Sequence, residues 1–234
     1  TLLFDLVNFL TVTRISANKK NKTFYQNHDL IYITDAAGFK AGRQSIKIEY
    51  NGKPPVAVTP PWKGGFSWKK DNAGNPWVVI NCQLEGGKVY FPCKDHPSDE
   101  PNEGADLIIT VPKGLTVAGP GLLQNVVAKK DKQTFHWKTN YTISNYCILF
   151  NIGKYTIVKR TYTTIDGNKV PLEFYVLEED KAYAAKILDL RERDTHILEK
   201  YFGEYPWVKE KIGIAQVPNS GMEHQTMITF GDRA

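Results

Sequence analysis

Up to about residue 177, apolar and polar positions alternate in short runs of the kind that form β-strands. The clearest pair lies in residues 155–177, on the two sides of Asp166-Gly167, a dipeptide that favours a tight hairpin turn. Two apolar runs around Gly86-Gly87 predict another hairpin. Short strands at this spacing, with turn residues between them, indicate a sandwich or an open, curved pair of sheets.

The pattern changes at Glu178, from where apolar residues recur with helical spacing as far as Phe202. They form one apolar stripe with charged residues on the opposite face, the arrangement of an amphipathic helix. The stripe comprises Tyr183, Ile187, Leu190, Ile197, Leu198, Tyr201 and Phe202. Gly203 suits the end of this helix, and "KIGIAQVP", Lys211 to Pro218, predicts a short strand after it.

The two patterns divide the chain into a β domain, residues 1–169, and the beginning of an α/β domain, residues 170–234. The second part is short for a domain with a complete core. We therefore expect a mainly β protein whose second domain is incomplete.

Composition narrows the class of protein. Hydrophobic residues make up 41% and charged residues 24% of the chain, as in globular proteins. The net charge of +5 is spread along the chain, and its densest basic run, Lys129 to Lys132, contains Asp131, so we expect no nucleic-acid partner. No apolar run is long enough to span a membrane. The compartment stays open between the cytoplasm and the periplasm or the exterior.

The cysteines and histidines do not form a common zinc pattern. Cys82, Cys93 and Cys147 are too few for a disulfide framework; a Cys82–Cys93 bridge is conceivable, but buried free thiols are favoured. Cys93-x-x-His96 matches no usual spacing of zinc ligands. None of the five histidines has another four residues away, so the motif His-Glu-x-x-His is absent.

A loop from Pro60 to Trp77 holds three tryptophans around a Gly-Gly pair. Aromatic side chains in a loop can form a platform for a sugar or a peptide. They can equally pack the loop onto the core, which is the more common role.

Near the end of the chain, "SGMEHQT" places Glu223 shortly after a predicted strand, and Gly221 just before it allows another backbone to approach closely. A peptide could pair with such a strand edge. The carboxylate could then bind the terminal ammonium group of that peptide. The alternative is a solvated glutamate on an edge strand.

Several segments in a fixed order resemble one protein family. They are "PPWKGGFSW", "NCQLEGGKVYFPCKDHPSDEP", "ITVPKGLTV", "YFGEYPW" and "SGMEHQT". Together they resemble the zinc aminopeptidase N family of gluzincin metallopeptidases, which includes leukotriene hydrolase and many bacterial aminopeptidases. The resemblance runs from about Leu3 to the end. It implies a saddle-shaped antiparallel β domain followed by the first helix and strands of a thermolysin-like α/β catalytic domain.

The resemblance also implies a substrate-binding site. The matched residues are Gln83, Ser220, Gly221, Met222, Glu223 and His224. Glu223 would hold the α-amino group of a peptide, Gln83 would help from the β domain, and the segment before Glu223 would offer its backbone to the substrate. His224 stands where the family usually has Asn, and Ser220 where it usually has Gly, which leaves the shape of the first substrate pocket open.

The family's zinc ligands, His-Glu-x-x-His and a later Glu, do not occur in these 234 residues. We therefore expect no catalytic or metal-binding residue here, and zinc bound by the remainder of the catalytic domain. The resemblance implies a parent enzyme that removes N-terminal residues from peptides, of which this chain is an inactive fragment. Two alternatives remain: a non-catalytic relative that binds peptides or proteins, and a hydrolase of a non-peptide substrate such as an epoxide.

Overall fold

The computed structural model describes residues 1–83 and 86–231. The first layer of the fold contains two three-stranded antiparallel sheets, with strand orders β1-β5-β4 and β3-β2-β6. The strands are β1 (Leu2–Asp5), β2 (Leu10–Ala17), β3 (Lys20–Asn21), β4 (Thr23–Asn27), β5 (Leu30–Thr34) and β6 (Ile46–Gly52). In β2 and β5, alternate residues face a shared core in which Ile15, Ile31 and Ile33 are almost fully buried. This alternation fixes the register of the strands.

Two further antiparallel sheets follow, with strand orders β10-β13-β8-β7 and β11-β12-β9. Their strands are β7 (Gly65–Lys70), β8 (Pro76–Asn81), β9 (Ala105–Pro112), β10 (Thr116–Ala118), β11 (Leu122–Lys129), β12 (Lys132–Thr139) and β13 (Asn151–Gly153). Trp137 of β12 and Val79 of β8 lie in the same core, so side chains from both sheets form one hydrophobic interior.

The last sheet has the strand order β14-β15-β16-β17. Its elements are β14 (Tyr155–Thr163), β15 (Lys169–Leu177), a 3-10 turn (Glu178–Asp180), α1 (Lys181–Phe202), β16 (Ile212–Val217) and β17 (Ile228–Gly231). β14 and β15 are antiparallel, which confirms the hairpin predicted at Asp166-Gly167. β16 lies parallel to both β15 and β17, and α1 is the crossover that parallel pairing with β15 requires. The expected mainly β fold with one α/β unit is confirmed.

The division between residues 169 and 170 stays a prediction. It falls at the start of β15, whereas β14 already belongs to the same sheet.

The hairpin predicted around Gly86-Gly87 is wrong. After β8 the chain forms a short 3-10 helix, Gly87–Val89, and Cys93 then makes an isolated bridge to Asp5 in β1. The amides of Gly86 and Gly87 instead donate to the buried Asp95 carboxylate, at 2.8 and 2.9 Å. Residues 84 and 85 of this run lie outside the described residues.

The helix was predicted correctly, but most of its apolar stripe is exposed, although Ile187 packs against the core. α1 packs on the sheet with Ala184, Leu188, Thr195 and Glu199, about a third of a turn away from the stripe. Tyr201 and Phe202 of the stripe are 79% and 82% exposed. The buried Glu199 carboxylate accepts a hydrogen bond from the Tyr162 hydroxyl at 2.6 Å, so a polar contact anchors this face. Among the described helices, none has the length and apolar character needed to cross a membrane.

A buried junction joins the last sheet to the sheet of β12. The Lys211 amino group, directly before β16, donates to the carbonyl oxygens of Gly119 (2.8 Å) and Gly121. It lies 4.2 Å from the centre of the Trp137 ring. Burial lowers the pKa of Lys211 to about 7. Next to it, the Glu210 carboxylate accepts hydrogen bonds from β12 and the residue after it.

We expect Lys211→Ala to lower the free energy of unfolding by about 2–4 kcal/mol, because it leaves a cavity and two buried carbonyls without their donor. Urea denaturation at neutral pH measures this loss. Lys209→Ala is the matched control, because Lys209 is exposed and surface substitutions usually change stability by less than about 0.5 kcal/mol. A loss no larger than that of the control would contradict a structural role for the Lys211 amino group.

Candidate substrate-binding site

The predicted site lies on the connection between β16 and β17, which forms a strand edge. Met222 pairs with Thr229 of β17 through two backbone hydrogen bonds, each 2.9 Å long. Backbone polar groups of an extended chain point alternately to its two sides. Those of Gly221 and Glu223 therefore point away from β17, and within residues 1–83 and 86–231 they have no backbone partner. The segment thus presents a free edge with which an extended ligand can pair.

Gly221 is the residue that the edge geometry requires. A Cβ atom at this position would lie 2.3 Å from the carbonyl oxygen of Thr229. Any larger residue would push the edge away from β17.

The start of the edge is anchored to the β domain. The side-chain amide of Asn81, the last residue of β8, donates to Asn219 Oδ1 at 2.6 Å and to the Ser220 carbonyl at 3.0 Å. The Asn219 amide in turn donates to Ser67 Oγ of β7 at 3.2 Å. These contacts hold Ser220 and Gly221 beside the β7–β8 hairpin.

Glu223 presents its carboxylate at the exposed end of this edge. The Tyr146 hydroxyl donates to Glu223 Oε1 at 2.9 Å. Burial of Tyr146, together with the neighbouring Cys147 and the carboxylate itself, raises the pKa of the phenol. Tyr146 is therefore neutral and acts as the donor, which orients Glu223 and leaves its second oxygen for a ligand.

His224 connects the edge to the segment that carries Gln83. Its ring is fully buried, and Nε2 lies 3.4 Å from the carbonyl oxygen of Cys82, the residue directly before Gln83. Burial lowers the pKa of His224 to about 4. The ring is therefore neutral at pH 7, and the tautomer with a proton on Nε2 donates to Cys82. Gln83 itself is exposed.

The structure thus brings the predicted residues into one region. Ser220, Gly221, Met222 and Glu223 form the edge, while His224 ties Gln83 to it through Cys82. The roles of these residues in binding a substrate stay predictions.

Sequence patterns alone do not identify Tyr146, Asn81 or Asn219 as residues of this site. Tyr146 lies in the apolar run Asn145 to Gly153, whose length is typical of a buried strand, whereas Asn145–Cys147 is a 3-10 helix. Asn145 and Tyr146 in that run could have indicated a polar contact, since a buried side chain that can donate a hydrogen bond usually has a partner.

No metal centre is found in the part of the chain that the structure describes, where no group of three or more His, Cys, Asp or Glu side chains could hold an ion. The three cysteines are buried and free, which confirms the prediction of free thiols over a Cys82–Cys93 disulfide. Burial raises the pKa of Cys82 to about 12 and that of Cys147 to about 11, so both remain thiols at neutral pH.

The architecture is similar to that of solved zinc metallopeptidases. An M1 zinc metallopeptidase from Deinococcus radiodurans matches with a TM-score of 0.74 and 20% identity, over 98% of this chain and 51% of its own. A mutant of this type of enzyme from the same organism, bound to a Tyr-Ser-Ala substrate, matches with a TM-score of 0.72 and 19% identity, over 98% and 52%. Legionella pneumophila aminopeptidase A in complex with aspartic acid matches with a TM-score of 0.73 and 15% identity, over 98% and 26%.

The chain therefore has the fold of the M1 zinc metallopeptidases, as the resemblance implied, and spans about half the length of the first of these neighbours. No protein-family model and no curated protein matches the sequence.

We expect the buried His224 to make the protein less stable in acid. Its pKa is about 4 in the folded state and about 6.5 when unfolded. Between these values the unfolded chain binds the extra proton, so this contribution to stability is complete above pH 6.5 and is lost as the pH falls toward 4. Between pH 7.5 and 4.5 the loss is about 2 kcal/mol.

Chemical denaturation at the two pH values measures this loss. In His224→Asn, the free energy of unfolding should fall by about 2 kcal/mol less between these pH values than in the unsubstituted protein. His28→Asn is the matched control, because His28 is exposed and has a positive φ of 49°, a conformation that Asn tolerates. Equal pH dependence in His224→Asn and the unsubstituted protein would mean that the ring is not held neutral.

Proposed function

We propose that this chain is the β domain and the first part of the catalytic domain of a zinc-dependent metallo-aminopeptidase. In this proposal the edge from Ser220 to Glu223 binds the first residues of a peptide, and Glu223 binds its α-amino group. The observation that supports it best is the exposed carboxylate of Glu223, oriented by Tyr146 at the end of a free backbone edge. The shared fold with M1 zinc metallopeptidases supports the class of enzyme.

The chemistry of the edge suits a peptide's N-terminus. A peptide paired with Gly221 gains main-chain hydrogen bonds that do not depend on its sequence. A terminal ammonium group beside Glu223 gains a charge-assisted hydrogen bond, which an amide nitrogen within a longer chain cannot make. With Gln83 as a second polar group, such a site would bind only the N-terminal end of a peptide. Binding the amino group there would fix the position of the first peptide bond.

Zinc in this proposal belongs to residues outside this chain. The described residues offer no ligand set for it, and His-Glu-x-x-His is absent from all 234 residues. When bound in such enzymes, zinc polarises the carbonyl and activates the attacking water. The residues described here position the substrate and supply none of that chemistry.

A groove beside α1 supports the proposal that further chain completes the catalytic domain. The groove lies between the exposed stripe of α1 and the sheet, has a volume of about 900 Å³, and is lined by Phe174, Val176, Ile187, Leu190 and Phe230 among others. An α/β sheet normally has its faces covered by helices. We propose that the remainder of the catalytic domain packs here.

We expect Glu223→Ala to weaken the binding of peptides with a free N-terminus by about 10- to 100-fold, because it removes a hydrogen bond to a charged group. Isothermal titration calorimetry with a tripeptide measures the change. The same peptide with an acetylated N-terminus is the control, and its affinity should not depend on Glu223. Glu223 is exposed, so the thermal midpoint should stay unchanged. Equal affinities for the free peptide before and after the substitution would remove Glu223 from the site.

For the full-length protein we expect removal of one N-terminal residue at a time from peptides, lost with a chelator and restored by zinc. The 234 residues alone should be inactive. A full-length protein that binds peptides without cleaving them would favour the non-catalytic alternative. Hydrolysis of an epoxide but not of peptides would favour the other alternative, a hydrolase of a non-peptide substrate.

A further inference from the structure

We propose that a second groove, next to the β7–β8 hairpin, binds the part of a peptide substrate that begins at its fifth residue. We call it the tail groove. It has a volume of about 940 Å³, and its lining includes Lys53, Val56, Val58, Trp68, Lys69 and Asn219. This inference rests on the proposed function, since it assumes that the amino group of the peptide is bound at Glu223. The predicted substrates are peptides longer than four residues, with apolar and acidic residues from the fifth residue onward.

The free edge allows an extended peptide to leave in one direction only. Beyond Glu223 the chain turns into the interior, where His224, Thr226 and Met227 are buried, and Thr226 adopts a positive φ of 55°. A peptide held at Glu223 can therefore continue pairing only toward Gly221 and Asn219.

The distance along the edge sets the register. Four residue steps lead from Glu223 to Asn219, which is at most about 13 Å in an extended chain. A peptide whose first residue lies opposite Glu223 and which runs back along this segment brings its fifth residue near Asn219. Asn219 lines the tail groove and is fixed to Ser67 of β7 by its side-chain amide. Asn219 thus links the start of the edge to the groove.

The groove presents a fixed apolar platform. The Trp68 ring is 51% exposed and stacks on Phe66 with 5.7 Å between ring centres, so one face is supported from below and the side chain is still available to a ligand. Val56 and Val58 beside it are 57% and 79% exposed. Trp77, the third tryptophan near this loop, is buried in the core. An aromatic or large aliphatic side chain of a peptide can stack on Trp68.

The charges around the platform favour an acidic tail. Lys53 and Lys69 both line the groove, and its lining contains no acidic residue. Within the described residues, neither lysine takes part in an ion pair. A carboxylate on a peptide's fifth or sixth residue would therefore find an unpaired cation next to the aromatic platform.

Asn219 and Ser220 also line the groove beside α1, but that groove lies on the side of β17, because Phe230 and Gly231 contribute to it. The free polar groups of Gly221 and Glu223 point away from β17. A peptide that pairs with them lies on the side of the β7–β8 hairpin, where the tail groove begins.

The test compares peptides that share their first three residues: a tripeptide, a heptapeptide with aromatic and acidic residues at positions five and six, and a heptapeptide with lysines there. Dissociation constants from isothermal titration calorimetry should show about tenfold tighter binding of the acidic heptapeptide than of the tripeptide, and no gain for the lysine version. Trp68→Ala, or Lys53→Gln together with Lys69→Gln, should reduce the gain to less than about twofold without changing tripeptide affinity.

Matched controls lie close by. Trp62 is 70% exposed and Lys70 ends β7, but neither lines the tail groove. Trp62→Ala and Lys70→Gln should therefore keep the full gain. Equal affinities for the tripeptide and the acidic heptapeptide, or an equal loss in Trp62→Ala and Trp68→Ala, would overturn the tail groove while leaving the amino-group site intact. If Glu223→Ala changes the affinity for neither the tripeptide nor the acidic heptapeptide, the proposed function is wrong. The placement of the fifth residue, which assumes an amino group at Glu223, is then wrong as well.

Discussion

The buried contact of Lys211 with the sheet of β12 is the interaction on which the candidate site depends. The Lys211 amino group contacts two glycine carbonyl oxygens and the face of Trp137. The backbone carbonyl oxygen of Lys211 accepts a hydrogen bond from the Tyr205 hydroxyl at 2.9 Å. A buried amine is costly unless its donors are satisfied, so these partners must stay where they are. Gln83 follows β8, whose sheet shares a hydrophobic core with the sheet of β12, and Glu223 precedes β17, so a shift of the last sheet against that core would separate Gln83 from Glu223.

The site is therefore an assembly of long-range polar contacts on a rigid interior. Asn81 binds Asn219, and His224 binds the carbonyl of Cys82, across 138 and 142 positions in the sequence. Both contacts are buried or partly buried, where a lost partner costs more than it would in water. His224 occupies the position at which the resembled family usually has Asn. As a neutral donor to a backbone carbonyl, its ring can perform a task that an asparagine side-chain amide could also perform.

Much of the fold could be predicted from the sequence, because local patterns are strong where strands alternate cleanly. The hairpin at Asp166-Gly167 and the helix that ends at Phe202 both follow from periodicity and end signals. The prediction at Gly86-Gly87 failed because the Asp95 carboxylate binds these amides, a contact that no local pattern reveals. For the site, the family motif predicts Glu223 but gives no sign of Tyr146, which orients the Glu223 carboxylate from 77 positions away. The exposure of Trp62 and Trp68 also depends on tertiary packing, since Trp77, near the same loop, is buried.

The parallel pairing of β15 and β16 has a consequence for the order of folding. Because α1 and the following residues separate these strands, the chain must be made as far as Val217 before all of β16 can join the sheet. The β7–β8 hairpin and the sheet of β11, β12 and β9 use shorter connections and can form earlier during synthesis. The edge at Gly221 closes only afterwards, on a surface already built by β7 and β8. A nascent chain would thus carry the β7–β8 side of the tail groove before Asn219, which completes the lining, and the edge at Gly221 are in place.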